Sequence, residues 1–343
     1  MTAVPVHIIA EAGSNYNGSV DLATQLNATA VAAAADSVKY QIINTDALYR
    51  PGDYAYGHYR IEDIRTIRRR DELSDAQWTE IRNDALARGI AFSSSVFDAK
   101  GLDLLCSFDP PYIKTASCDL NNLRFLRQVA ARGRTMVVST GMSTLGDIEK
   151  AVSTLAKEGI GGGKLVLLHC VSAYPSALED TNLAFLQTLR SAFGTEVGFS
   201  DHTLGREAAC VAVALGATWI EKHFTTDRTL DGLDHKHAME PDAFAEYVKA
   251  IRATEAALKP RVMKIGSAEA YTRQRARRGL YVSKDLPAGH LLTDADILIV
   301  RPESAIPADE IDAVLGRALK QPLAASAPLS PSDLEAPAAR HDG

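Results

Sequence analysis

The sequence predicts an α/β protein, a (β/α)8 barrel followed by a small β-rich module. Three observations predict it. First, short apolar runs rich in β-branched residues recur through the first two-thirds of the chain, at 6–13, 37–43, 90–96, 112–117, 135–141, 164–170, 196–202 and 219–225. Second, segments of helical period separate most of them, at 20–35, 75–88, 120–132, 144–158, 179–193 and 205–215, with another at 241–257. Strands alternating with helices over about 250 residues are the pattern of a closed parallel barrel. Third, the pattern changes past residue 279, where "LYVSKDLPAGHLLTDADILIV" carries short strand-like runs between turn signals. An open doubly wound sheet competes with the barrel, but no GxGxxG follows the first strand.

The elements carry their own boundaries. Ser74 with Gln77 forms a capping-box start, and Gly133, Gly159 and Gly216 stand where helices stop. The connection 44–73 is unusually long and holds Tyr49, Tyr54, Tyr56 and Tyr59, which suggests a lid. Within it, "RTIRRR" (65–70) reads as a solvated helix face rather than a phosphate clamp. The barrel is expected over 1–258, a linker with a helical turn over 259–279, the β-rich module over 280–335 and a frayed tail over 336–343.

The 343 residues carry a net charge of −6, which argues against a nucleic-acid partner. An anionic ligand would need cations inside its own site. The four cysteines show no CxxC pair and read as buried, reduced thiols. No signal peptide or long apolar span is evident, so a cytoplasmic protein without membrane contact is expected.

In such a barrel the active site lies at the C-terminal strand ends. There the apolar runs turn polar: Glu11; Lys39 and Gln41; Ser93 and Ser95; Lys114 with Ser117; Ser172 and Tyr174; Ser200 with His202; Glu221 with His223. Several pairs are two residues apart and share a strand face. Each buried polar group without a partner costs about 1–3 kcal/mol, so a ligand-lined mouth explains the pattern better than a core. Lys39 and Lys114, with the hydroxyls of Ser95, Ser117 and Ser200, suit a phosphate or carboxylate. His202 and His223, on neighbouring strands, make a divalent-metal site with open positions. Two hydrogen-bonded core histidines are the plainer alternative. His235 and His237 sit in a loop, His169 reads as core, and His7, His58, His290 and His341 read as structural or exposed.

The motifs "IIAEAGSNYNG", "VKYQ", "YIKTAS", "STGMSTLGDIEKAV", "LLHCVSAYPS", "GFSDHTLG" and "WIEKHFTTDRTLDGLDH" resemble, in order, the sialic acid (N-acetylneuraminate) synthase family. The resemblance implies a barrel with a C-terminal antifreeze-like (SAF) domain and a domain-swapped homodimer. It implies condensation of phosphoenolpyruvate (PEP) with a sugar aldehyde such as N-acetylmannosamine, giving a 2-keto-3-deoxy sugar acid and phosphate. It implies a divalent metal, manganese first, with magnesium or cobalt as substitutes, held by His202 and His223. By the same resemblance PEP meets Lys39, Ser95, Lys114, Ser117, Ser172 and Ser200. The acceptor meets Glu11, Gln41, Tyr174 and Asp234, with Arg301 arriving from the partner chain. Glu221 is the candidate to position or activate water, and Glu11, Lys39 and Lys114 complete the catalytic set.

Three departures stand out. The family's Asn-His-Xaa-Gly is Asn15-Tyr16-Asn17-Gly18 here, the glycine-rich SAF loop is Arg301-Pro302-Glu303-Ser304-Ala305, and "GLDHKHAMEP" has leucine and alanine for proline and serine. Glu303 is expected to add an anion beside Arg301, and lost glycines should send the loop along another path. The changes fall on the acceptor side, so an acceptor other than N-acetylmannosamine is expected. A metal-dependent pyruvate aldolase and a non-catalytic sugar-phosphate sensor are the competing readings.

Overall fold

Eight parallel strands close into a barrel in the computed structural model, which describes residues 5–57, 59–259 and 264–336. The strands are β1 (His7–Gly13), β2 (Ser37–Ile42), β3 (Ala91–Val96), β4 (Tyr112–Thr115), β5 (Thr135–Ser139), β6 (Leu165–His169), β7 (Glu196–Asp201) and β8 (Trp219–His223). Each pairs with its sequence neighbours, and β8 closes on β1 with Glu11 opposite His223. The chain divides into the units Met1–Pro260 and Arg261–Gly343.

The two-residue period of the strands explains both faces of the barrel wall. Outward residues such as Ile8, Ala10, Val38, Tyr40 and Ile113 pack beneath the helices. Inward residues Ile9, Tyr112, Val137, Val166 and Leu168, with Trp219, plug the barrel. Two positions further along the same strands come Glu11, Lys114, Ser139 and Glu221. The interior therefore changes from apolar plug to polar mouth within one step of the pleat.

The expected helices form as α1 (Val20–Ala32), α3 (Asp75–Ala87), α5 (Leu123–Ala130), α6 (Leu145–Lys157), α7 (Phe185–Phe193), α8 (Glu207–Ala214) and α9 (Pro241–Leu258). Both halves of the Ser74–Gln77 capping box are present, and Gly133, Gly159 and Gly216 take positive φ of 69°, 78° and 92°. One helix was not anticipated, α4 (Ala99–Ser107), and α2 (Ile61–Asp71) was anticipated only as the helix face of RTIRRR. α4 is nine residues long with Asp98 capping Gly101 N, a signal the glycine and charges obscure. α2 occupies the long connection after β2, with a short helix Thr45–Leu48 and two-residue strands Ala55–Tyr56 and Tyr59–Arg60 before it. Its arginines correct the expectation of a wholly solvated face: Arg65 is buried, as is Asp71.

In the second unit, β9 (Gly279–Val282) pairs antiparallel with β10 (Ile297–Val300) over a core that includes Leu280, Val282, Leu292, Leu319 and Leu329. The expected helical turn before it is a ten-residue helix, α10 (Ser267–Ala276). Glu303 pairs with Arg277 at 3.5 Å and Arg273 at 4.0 Å, not with Arg301. Ser304 Oγ accepts from Leu280 N at 2.9 Å and donates to Ile306 O at 2.7 Å, so the glycine-free loop is pinned by a side chain.

The four cysteines are free thiols; Cys170 is buried but Cys118 is exposed, against expectation. No helix among the described residues is long and apolar enough to cross a membrane. His58, His341 and most of the tail lie outside the described residues.

Candidate active site

A cavity of about 250 Å3 opens at the C-terminal ends of the barrel strands. Lys39, Ser95, Lys114, Ser117, Ser172, Ser200, Glu11, Gln41, Tyr174, His202, Glu221 and His223 all line it. Ser93 does not; it lies one step deeper and donates to Tyr112 O at 2.7 Å. Asp234 stands behind the cavity wall, where its Oδ2 accepts from Ser14 N (3.0 Å) and Ser14 Oγ (2.7 Å). Arg301 belongs to the second unit and is exposed there.

The two lysines differ in their company. Lys39 Nζ lies 2.6 Å from Glu11 Oε2 and 3.4 Å from Glu221 Oε2, and donates to Ser95 Oγ at 2.9 Å. Lys114 Nζ donates to Ser139 Oγ (2.7 Å) and Thr115 O (3.1 Å), with Glu221 Oε1 3.9 Å away. All four ionisable groups are almost fully buried. Burial pushes the Glu11 carboxyl up, and Lys39 only partly opposes it. Burial also works against ionised Glu221, but Lys114, Lys39 and the Ser200 hydroxyl outweigh it and hold the group low. The Lys39 ammonium, though buried, is stabilised by Glu11 and Glu221, whereas burial lowers Lys114. The site thus keeps one carboxylate ionised and one with high proton affinity, as like charges sharing a cation require.

The histidine rings lie 6.0 Å apart, centroid to centroid. His202 Nδ1 is 2.6 Å from Val171 O, which can only accept, so Nδ1 carries the proton and Nε2 presents a lone pair. Ser200 Oγ, 3.3 Å from that Nε2, directs its own hydrogen to Glu221 Oε1 at 2.7 Å. His223 Nδ1 is buried with no hydrogen-bond partner. Burial lowers the proton affinity of both rings, keeping them in the neutral form that binds metals. A ring anchored through one nitrogen and open at the other is how a metal-ligating histidine is held. No group of three His, Cys, Asp or Glu suited to a metal exists among the described residues. Two neutral imidazoles lining one cavity could hold a divalent ion only with water and substrate completing the set. Tyr174 packs on His202 at 4.2 Å and near His237 at 5.1 Å.

Several lining residues escaped the sequence reading: Ser139, Met142 and Cys170. Ser139 ends the fifth apolar run just as Glu11 ends the first, so its signal was available. Cys170 was hidden by its chemistry, since a buried thiol looks like core. Around Gly141 the wall is very close: a Cβ there would lie 2.4 Å from Ser172 Oγ, 2.8 Å from Cys170 Sγ and 2.9 Å from Ser117 Oγ. Gly141 N donates to Ser117 Oγ at 3.1 Å. His169 is core, bonded to Thr181 O, and His235 is buried against Thr225. Tyr16 is buried among Tyr40 and Trp78, its hydroxyl 3.3 Å from Gln41 O.

Fold and cavity together define a (β/α)8-barrel enzyme with its site at the strand ends. Residues 26–263 match the NeuB family and residues 277–335 the SAF domain. The chain belongs to the NeuB family. It is 34% identical to the N,N'-diacetyllegionaminic acid synthase of Legionella pneumophila, over 96% of this chain and 94% of that protein. It is 33% identical to a pseudaminic acid synthase of Campylobacter jejuni, over 91% of this chain and 92% of that one. A solved N-acetylneuraminic acid synthetase from Leptospira borgpetersenii, 32% identical, superposes with a TM-score of 0.70 over 78% of this chain and 90% of that one. The protein is an enzyme of this synthase type.

Proposed function

We propose that the protein condenses PEP with a sugar aldehyde, giving a 2-keto-3-deoxy sugar acid and inorganic phosphate. One observation carries the reading: two buried lysines and a ring of serine hydroxyls face one small cavity that two neutral histidines also line. That set complements an anion at one end and a polarised carbonyl at the other.

In the reaction, C3 of PEP bonds to the aldehyde carbon, water adds at C2, and the bond from C2 to the phosphate oxygen breaks. Lys39 and Lys114 offset the charges of PEP, with Ser95, Ser117, Ser172 and Ser200 as hydrogen-bonding groups. Glu221, held ionised, faces the positive character that develops at C2 and orients the incoming water. Glu11, whose proton affinity is raised, suits transfer of a proton to the aldehyde oxygen, steadied by Gln41 Nε2 at 3.2 Å. Gln41, Tyr174 and Asp234 form the acceptor side. A divalent cation, manganese first, would be held by His202 and His223 and would supply Lewis-acid polarisation of the carbonyl. A domain-swapped homodimer, with Arg301 from a second copy meeting the acceptor, belongs to the same reading.

The test is phosphate release from PEP with manganese across a panel of sugar aldehydes, using PEP labelled with 18O in the bridging position. Label in the released phosphate is the expected result. Label retained in the organic product would exclude this C–O cleavage. Pyruvate turnover without phosphate would point to an aldolase, and PEP binding without turnover to a sensor.

A further inference from the structure

Behind the wall that carries the two histidines lies a charged pair that the proposed reaction does not use. Asp201 ends β7, Lys222 precedes the last residue of β8, and the two are register partners. Side chains alternate along a strand, so while Ser200 and Glu221 face the cavity, Asp201 and Lys222 face outward, against helix α9. Both are buried, their side chains 0% and 1% exposed. Replacing such a pair by apolar side chains is often neutral or stabilising, so stability is a weak reason for keeping it.

Each carboxylate oxygen of Asp201 has two partners. Oδ1 accepts from Thr203 N (2.8 Å) and Thr203 Oγ1 (2.7 Å). Oδ2 accepts from the Tyr247 hydroxyl of α9 (2.9 Å) and lies 3.1 Å from Lys222 Nζ. Lys222 Nζ also donates to Thr203 O. Asp201, Thr203 and Lys222 thus close a ring, with His202 between the first two and His223 next to the third. Backbone pairing of β7 with β8 ends at Asp201 and Lys222. The histidines follow, one residue past that last rung on each strand. The His202 carbonyl accepts from Ser176 N and the His223 carbonyl from Met239 N, both at 2.9 Å, so each is tied to a loop of its own rather than to the other histidine. The Lys222–Thr203 bond joins the two strand ends where the ladder has stopped.

Resting on the metal assignment in the proposed reaction, we infer that Lys222, held by Asp201, is a positioning residue: it fixes the spacing and ring direction of His202 relative to His223. An ion shared by two imidazoles needs both lone pairs at set positions, and groups behind the ligands supply that order. PEP is assigned to lysines and hydroxyls inside the ladder or on other strands, so it does not depend on this tie.

The test removes the cation and keeps the turn. In Asp201→Asn with Lys222→Met, the asparagine oxygen still caps Thr203 and its amide faces the Tyr247 hydroxyl. Mn2+ binding is measured by electron paramagnetic resonance with PEP present and no aldehyde, and PEP binding by calorimetry without metal. The double variant should lose about ten- to a hundredfold in Mn2+ affinity, keep its PEP affinity and unfold near the wild-type denaturant midpoint. Tyr247→Phe, which loses one buried hydrogen bond but no part of the ring, should show the reverse: a lower midpoint with Mn2+ affinity intact. Unchanged Mn2+ affinity in the double variant overturns the inference. So does an equal fall of Mn2+ and PEP affinity, or an equal loss of Mn2+ affinity in Tyr247→Phe. A second readout needs no metal: the Nδ1–H that His202 donates to Val171 O should give a slowly exchanging downfield proton signal, absent from His202→Ala and lost in the double variant. Its persistence there also overturns the inference. A wild-type protein that binds no Mn2+ would instead remove the metal assignment, and the proton signal would still decide whether Lys222 positions His202.

Discussion

Replacing Lys39 by methionine should destabilise the barrel far more than the same change at Lys114. Both ammonium groups are buried, but Lys39 holds Glu11 at 2.6 Å and Glu221 at 3.4 Å, whereas Lys114 has Glu221 only at 3.9 Å. Removing one partner of a buried pair leaves an uncompensated charge and costs about 3–5 kcal/mol. Lys39→Met should fall at the lower end of that range, because Glu11, whose proton affinity burial already raises, can take up a proton once its cation is gone. In Lys114→Met the Glu221 carboxylate loses one of its two cations but keeps Lys39 at 3.4 Å, so the groups left without a partner are Ser139 Oγ and Thr115 O, at a cost of about 1–3 kcal/mol. Adding Glu11→Gln to Lys39→Met removes the closer orphaned carboxylate and should recover most of the loss. Denaturant unfolding followed by tryptophan fluorescence is well suited to this comparison, because Trp78 and Trp219 are the only tryptophans and both lie in the barrel unit. PEP affinity, measured on the folded variants, should fall about ten- to a hundredfold for Lys114→Met. Equal stability of the two single variants, or no recovery in the double variant, would refute the assignment of Lys39 as the cation that makes two buried carboxylates tolerable.

Three further outcomes follow from the geometry. Gly141→Ala should raise KM for PEP more than tenfold with a smaller change in kcat, because its Cβ would displace Ser172, Cys170 and Ser117; an unchanged KM would remove that wall from the binding site. His202→Ala should lose manganese binding, seen by electron paramagnetic resonance of the free ion, together with turnover, while its far-ultraviolet dichroism is unchanged; retention of the bound ion would sink the metal assignment. In the second unit, Thr293, His290 and Lys284 hold the Asp296 carboxyl well below the usual carboxylate range. A depressed folded-state value means that its stabilisation is present above the unfolded value, about pH 4, and is lost as pH falls below it. Amide exchange over Gly279–Val282 should therefore quicken on acidification, and Asp296→Asn should already exchange fast at neutral pH and lose that acid dependence; identical exchange profiles would contradict it.

Barrel topology was legible because most barrel strands combine an apolar stretch with a polar end, and because parallel strands separated by helices admit few arrangements. Helices α4 and α2 mark where that logic weakens. α4 has only Leu102, Leu104 and Leu105 to declare its buried stripe, interrupted by Gly101 and Asp103. α2 is strongly charged, and its inward face carries Arg65, Arg68 and Asp71 where a periodic pattern would look for leucine. A helix whose buried face is ionic presents no apolar period to read, so its partners become visible only when Asp46, Asp71 and the Gly18 turn are brought against it in space.

The same distinction separates the two ends of the site. The end assigned to PEP is written in strand residues whose spacing fixes their direction, so Lys39, Ser95, Lys114, Ser200 and Glu221 could be named before any coordinates. The end assigned to the acceptor is built from connections: Ser14 and Tyr16 after β1, Tyr174 after β6 and Asp234 after β8. Their mutual positions depend on how three loops pack. Tyr16 shows the limit. Read as a change in the pocket, it instead turns away into the Tyr40 and Trp78 rings and touches the site only through the carbonyl of Gln41. A residue that departs from a family motif is therefore a pointer to a region, not to a contact.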